Sequence, residues 1–152
     1  MKTLQWQSKR FRQLNNTELY ELLKFRVDIF VVEQNCPYPE LDDKDTHIET
    51  HHITAHYKSK LIAYARLLSP GIRYPEVNIG RLAVGKSLRH QRIGTLLMEK
   101  CLQEAVIIWP GLSIKISAQE HLKEFYENFG FKKISAMYLE DNIPHITMLK
   151  DH

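Results

Sequence analysis

Apolar side chains along this chain fall into two periods, and the switches between them mark out its elements. Residues 4–8 alternate and predict a short strand. From Leu19 the apolar positions Leu19, Leu22, Leu23, Val27, Phe30 and Val31 recur at three- and four-residue spacing, which puts them on one stripe of a helix running to about residue 32. Just ahead of it, "LNNTEL" supplies Asn15 as N-cap with Glu18 three positions on, and Leu14 and Leu19 as a hydrophobic staple. The stripe stops at "EQNCPYPELDDKDTHIET". With two prolines and the acids Glu33, Glu40, Asp42, Asp43, Asp45 and Glu49, this segment reads as a long loop of the functional or mobile kind.

Strands are predicted over 51–57 and 61–68, joined by "KSK" as an antiparallel hairpin. A third strand, "EVNIGRLAV", covers 76–84 and leads through a basic turn into a second helix, whose stripe is Ile93, Leu97, Cys101, Ala105 and Ile108. "WPG" ends that helix, "LSIKISA" alternates as a strand, and "HLKEFYENF" is a short helix stopped by Gly130. "FKKISAMYL" and "HITMLK" are expected to pair across "EDNIP". The order β-α-β-β-β-α-β-α-β-β predicts an α/β fold with a mixed sheet flanked by helices, in which only the unit around 76–118 must run parallel.

At 152 residues the chain is expected to form a single domain, 1–152, burying roughly two-thirds of its unfolded surface. Hydrophobic residues make up 43% and charged residues 26%, the balance of a globular protein. The run 105–109 falls far short of the roughly 20 residues of a membrane span, and "MKTLQWQSKR" has no signal-peptide core, so no membrane partner and a cytoplasmic location are expected. A net charge of +3 does not call for a polyanion, which makes nucleic acid an unlikely partner. Cys36 and Cys101 form neither a disulfide framework nor a metal motif, and a strand over 51–57 splits its histidines between faces, so no metal is expected.

The candidate chemistry begins at "SLRHQRIGTLLMEKCL". Arg89, His90 and Arg92 crowd a helix start, where each cation costs ~0.3–1 kcal/mol against the helix dipole unless an anion offsets it. A strand, a turn and a helix start form a phosphate seat. Neither GxGxxG nor GxxxxGK[ST] is present, which excludes a dinucleotide fingerprint and a P-loop.

These residues resemble the GNAT N-acetyltransferases, whose pyrophosphate segment has the pattern R/Q-x-x-G-x-G/A. Arg89, Gly94 and the preceding "IGRLAV" match it, and Arg92 stands where the first glycine is usual. "HLKEFYENFGF" is similar to the second cofactor segment of the family through Phe125, Tyr126, Gly130 and Phe131. "FVVEQNCPYPELD", "LIAYARLL" and "EDNIPHI" extend the resemblance over nearly the whole chain, to a small bacterial subfamily of ElaA type.

The resemblance implies acetyl-CoA as cosubstrate and a primary amine, small or peptidyl, as acceptor. It implies that Leu82, Ala83 and Val84 hold the pantetheine arm, with the Val84 N–H facing the thioester oxygen. Arg89, His90, Gln91, Arg92, Ile93, Gly94 and Thr95 would form the pyrophosphate seat, and Tyr126 would be the general acid. Glu33, Glu76, His52 and His145 are all open as the base, Glu33 first because "FVVEQN" ends the first helix beside the acceptor cleft. The acidic loop suggests a cationic acceptor. A monomer or homodimer is expected. The alternatives are a nucleic-acid-binding module, a non-catalytic acyl-CoA-binding module and an enzyme like the acyl-homoserine lactone synthases.

Overall fold

The computed structural model describes residues 3–152. Their elements run β1 (Gln5–Arg10), α1 (Asn16–Val27), β2 (His51–Tyr57), β3 (Lys60–Leu68), β4 (Val77–Val84), α2 (Ile93–Ile108), β5 (Ile114–Gln119), α3 (Lys123–Glu127), β6 (Lys132–Lys133), β7 (Tyr138–Glu140) and β8 (Ile143–Lys150). The strands form one mixed sheet in the order β1-β2-β3-β4-β5-β8-β6, with β7 also on β8, and only β4 and β5 pair in parallel.

Tyr64 and Ala65 are neighbours on β3 and therefore point to opposite faces. Tyr64 packs with Leu22 of α1, whereas Ala65 belongs to the cluster that holds Leu97, Met98 and Cys101 of α2. The two long helices thus cover opposite faces of the sheet. The Asn15 cap forms as expected, its side chain accepting from the Glu18 amide at 2.8 Å.

Three expectations need correction. The first helix does not stay regular to residue 32: Asp28–Glu33 is a π turn, with Gln34 N–H bonded to Ile29 O and Cys36 N–H to Val31 O. The buried residues of this stretch are Leu22, Arg26 and Ile29, so a fully buried arginine takes a place beside the expected Val27. The last hairpin is also broken, because the Ser135 hydroxyl accepts the Thr147 N–H at 2.9 Å and interrupts the ladder between β6 and β7. Its turn is only Asp141–Asn142, both at positive φ as a type I′ turn demands, so Ile143 and Pro144 lie in β8. Finally, the loop over 33–50 is neither loose nor an open acidic face, for reasons given below.

The feature that shapes the molecule is a fork between β4 and β5. They pair only at Val77↔Ile114 and Asn78↔Lys115, and the Asn78 side chain closes the junction by donating to Lys115 O at 2.9 Å. Beyond it β4 carries a bulge at Arg81, where φ is +54° and one extra residue is fitted opposite β3. The strands then diverge.

Candidate active site

The fork opens into a cleft of about 490 Å³. One wall is the backbone of β4 from Ile79 to Val84, and the other is Ile116, Ser117 and Gln119 of β5. Gly85 donates its N–H to Ile62 O of β3 at 2.8 Å; peptide groups alternate along a strand, so those of Val84 point away from β3 toward the cleft. The Val84 carbonyl accepts from Arg89 Nε at 3.1 Å.

The start of α2 forms one end. Its first intrahelical bond runs from Leu96 N–H to Arg92 O, which leaves the amides of Ile93, Gly94 and Thr95 without a helical partner. Arg92 is the N-cap in a left-handed conformation at φ +61°, and His90 is left-handed as well at φ +68°. Gly94 borders the cleft in regular helix, and a Cβ built on it meets nothing within 4 Å. The side chains of His90, Gln91 and Arg92 are exposed outside the lining, and Ile93 is in the core.

Tyr126 lies in the lining, wedged edge-on against Phe125 and Phe131. Burial raises its phenol to about 12, so it stays protonated through the neutral range. Cys36 also borders the cleft, with its Sγ 3.4 Å from Asp141 O, while Cys101 is buried in the core and its thiol pushed up by that burial.

Of the four candidate bases, the cleft takes Glu33 and His145. Glu76 sits beside Lys115 at 3.2 Å at the closed end of the fork, and His52 is buried between the Tyr64 hydroxyl at 2.7 Å and Asp45 O at 3.1 Å. Glu33 is bound through both oxygens to the Arg89 guanidinium, which holds its carboxyl below the usual range. A carboxylate so occupied is a weak proton acceptor.

Three further loop acids, Glu40, Asp42 and Asp45, are occupied too. Arg26 donates to Glu40 at 2.6 Å and Asp45 at 2.7 Å, Arg66 grips Asp42 at 2.8 and 2.9 Å and reaches Asp45 at 3.1 Å, and Arg81 joins Glu40 at 3.0 Å. Tyr38 donates to the same Glu40 carboxylate. Glu33, Glu40, Asp42 and Asp45 are therefore neutralised by arginines, which removes most of the field expected to steer a cationic acceptor. The network instead ties the loop to α1, β3 and the β4 bulge.

Burial alone would raise the carboxyls of Asp42 and Asp45, but hydrogen bonds and charge from Arg66 and Arg26 outweigh it and hold both low. Groups with depressed native pKa values add stability above their unfolded pKa, near ~4, and lose it as pH falls through the native value. The buried His52, whose imidazole is pushed down by desolvation, acts in the same direction from about pH 6.5. Unfolding free energy from denaturant melts is thus expected to begin falling gently below about pH 6.5 and to fall steeply below about 4, where these two carboxyls add a limiting slope of ~2.7 kcal/mol per pH unit.

Sequence reasoning missed Tyr38, Arg73, Arg81 and Glu140, all of which line the cleft. Three of them lay within segments that carry the family resemblance, Tyr38 in "FVVEQNCPYPELD", Arg81 in "IGRLAV" and Glu140 in "EDNIPHI", whereas Arg73 carried no signal. Among the described residues, no three His, Cys, Asp or Glu side chains cluster so as to hold a metal ion, and no helix is long and apolar enough to cross a membrane.

A strand fork, a helix start with free amides and a buried tyrosine can seat an extended phosphate-bearing thioester. Residues 30–152 match the acetyltransferase (GNAT) domain. The chain belongs to the GNAT acetyltransferase family. Within this family it is similar to protein ElaA of Escherichia coli (strain K12), with 39% identity over 148 residues covering 97% of each chain. The crystal structure of Escherichia coli ElaA superposes with a TM-score of 0.93 over 98% of this chain and 100% of that one. An acyl-CoA N-acyltransferase from Pseudomonas aeruginosa gives a TM-score of 0.94 at 42% identity, covering 97% and 99%. An aminoglycoside 6'-N-acetyltransferase complexed with coenzyme A shares the fold at 17% identity and TM-score 0.73, covering 95% and 96%. The GNAT fold and the ElaA-type subfamily are thus as the sequence implied.

Proposed function

We propose that the protein transfers an acetyl group from acetyl-CoA to a primary amine by direct attack in a ternary complex. The β4–β5 fork carries this reading, because it leaves a strand edge unpaired beside a helix start with free amides. An extended pantetheine arm can add to that edge as a strand does, held by main-chain groups of Leu82, Ala83 and Val84. The pyrophosphate fits the amides of Ile93, Gly94 and Thr95, where the missing Cβ of Gly94 leaves room for close approach. Arg89, His90, Gln91 and Arg92 surround that seat with positive charge and polar groups.

In the reaction the amine nitrogen forms a bond to the thioester carbonyl carbon while the C–S bond breaks. The Val84 N–H, pointing into the cleft, faces the oxygen that gains negative charge. Tyr126 gives its proton to the departing sulfur, a role suited to a phenol still protonated at neutral pH. Glu33 holds Arg89 across the cleft mouth, so its part here is positioning rather than taking the amine's proton.

The test is a panel of spermidine, a lysine peptide, kanamycin and phenylalanine with acetyl-CoA and a thiol-release readout. Turnover is expected with at least one amine, and silence across the panel sinks the enzyme reading. Tyr126→Phe is expected to lower kcat about 100-fold or more while coenzyme A affinity is kept.

A further inference from the structure

Resting on the acetyl-transfer reading, we propose that the amine is seated and deprotonated between His145 Nε2 and Glu140 Oε2, with His145 as the general base. The turn at Asp141–Asn142 sets the register Tyr138↔His145 and Glu140↔Ile143, and β5 sets Gln119↔His145 and Ser117↔Thr147. Side chains two apart on a strand, and those directly opposite, share a face. Tyr138, Glu140, His145, Thr147 and Ser117 thus meet on one face, and Ser117, Glu140 and His145 of this set line the cleft.

On this face the hydrogen bonds have one consistent direction. Thr147 Oγ1 donates to the Tyr138 hydroxyl at 3.2 Å, and Ser117 Oγ donates to Glu140 Oε1 at 3.2 Å. The 2.6 Å bond between Tyr138 and Ser117 is then donated by Tyr138. Arg73 adds a second donor to Glu140 Oε1 at 2.8 Å. One oxygen of Glu140 is filled and the other, Oε2, is left facing His145 Nε2 at 3.6 Å.

His145 is set up to match. Its Nδ1 lies 2.7 Å from Ile143 O, and a carbonyl only accepts, so Nδ1 carries the proton and Nε2 of the neutral ring offers a lone pair. The residue is only 7% exposed, its ring stacked on Tyr138 at 6.2 Å, and Nε2 has no donor among the described residues. Two acceptors with nothing between them are the complement of an ammonium group, whose nitrogen can sit ~2.9 Å from both. The charged groups around this pair are Glu140 itself, Arg73 behind it, Asp141 on the turn and His121 from the segment before α3, all of which line the cleft.

One proton of R–NH3+ passes to His145 Nε2, and the resulting imidazolium is stabilised by Glu140. The free amine forms the C–N bond, the C–S bond breaks, and the thiolate takes the Tyr126 proton. The second nitrogen proton released on forming the amide restores Tyr126, and His145 returns its proton to water.

The test uses the full chain, acetyl-CoA and whichever panel amine the unmodified protein acetylates fastest. His145→Gln is expected to lower kcat by at least ~30-fold and to remove the acidic limb of the kcat/KM profile against pH, with coenzyme A affinity unchanged. Glu140→Gln, which keeps the shape of this half-buried side chain and an oxygen for Arg73 and Ser117, is expected to raise the KM for the amine without altering coenzyme A affinity. A smaller kcat loss, or an acidic limb that survives in His145→Gln, overturns the seat and leaves the transfer reading standing. If no amine is acetylated, the transfer reading itself fails, and the seat is judged by isotope-edited NMR of His145 during titration with n-butylammonium. A neutral, Nδ1-protonated ring whose Nε2 signal moves in the unmodified protein and not in Glu140→Gln supports it; an imidazolium at neutral pH, or an Nε2 signal that does not move, overturns it.

Discussion

Gly94→Val is expected to weaken coenzyme A binding by ~10²–10⁴-fold in a protein that still folds, because it removes on the order of two charge-assisted hydrogen bonds worth ~1.5–3 kcal/mol each. Folding is spared for a geometric reason: the added Cβ meets nothing within 4 Å, and valine is no worse than glycine in a helix. The space it fills is cleft, beside the amides that would face the phosphates. Arg92→Gly is the control. Its left-handed backbone costs an L-residue ~1–2 kcal/mol, which glycine relieves, against ~0.4–1 kcal/mol lost through a freer unfolded chain. That variant is expected to be as stable as the parent or up to about 1.6 kcal/mol more so, with affinity lowered no more than about five-fold, since one exposed cation beside the seat is worth at most ~1 kcal/mol. Calorimetric titration with coenzyme A and a thermal melt check both. Unchanged affinity in Gly94→Val would place the phosphates elsewhere.

The contrast between these two positions shows what the chain discloses about itself. β2, β3 and β4 were visible as short runs bounded by turn residues, β2 and β3 buried on both faces, and α2 as a period-3.6 stripe, and the parallel unit followed from a helix lying between two strands. The basic turn was visible because cations at a helix start are anomalous. The π turn after α1 was not, since the residues over 28–33 keep a helical look while the buried face shifts to Arg26 and Ile29. Nor was the broken final hairpin, which depends on one serine hydroxyl reaching twelve residues ahead in the sequence, from Ser135 to Thr147. The arginine network was out of reach for the same reason. Its partners lie between 14 and 41 residues apart, and a local pattern cannot tell an acid that faces solvent from one that meets a buried guanidinium. At the cleft, the strand edge and Tyr126 came from family resemblance, whereas the pairing of Glu140 with His145 needed the register of the last hairpin.

Arg26→Met is expected to cost ~3–5 kcal/mol of folding stability, the usual penalty for leaving buried charge without its partner. Arg26 is fully buried, and its removal takes one donor from Glu40 and one from Asp45 while methionine fills much of the space. The two carboxylates keep Arg81 and Arg66, which argues for about 3 kcal/mol, the lower end of that range. For a domain whose whole stability is ~5–15 kcal/mol this is a large fraction, and it corresponds to a fall in melting temperature of at least roughly 6 °C. Glu49→Gln, at an exposed loop acid with no ion pair among the described residues, is expected to change stability by less than ~0.5 kcal/mol. Acid separates the charge effect from packing. Losing Arg26 lets Asp45, whose carboxyl Arg26 helps to hold low, take up a proton more readily, and once it is neutral the variant buries less poorly paired charge. The gap between Arg26→Met and the parent, read from denaturant melts, is therefore expected to be widest near pH 7 and to narrow below about pH 4. A gap that stays constant over that range would mean the loop is held by the shape of the arginine and not by its charge.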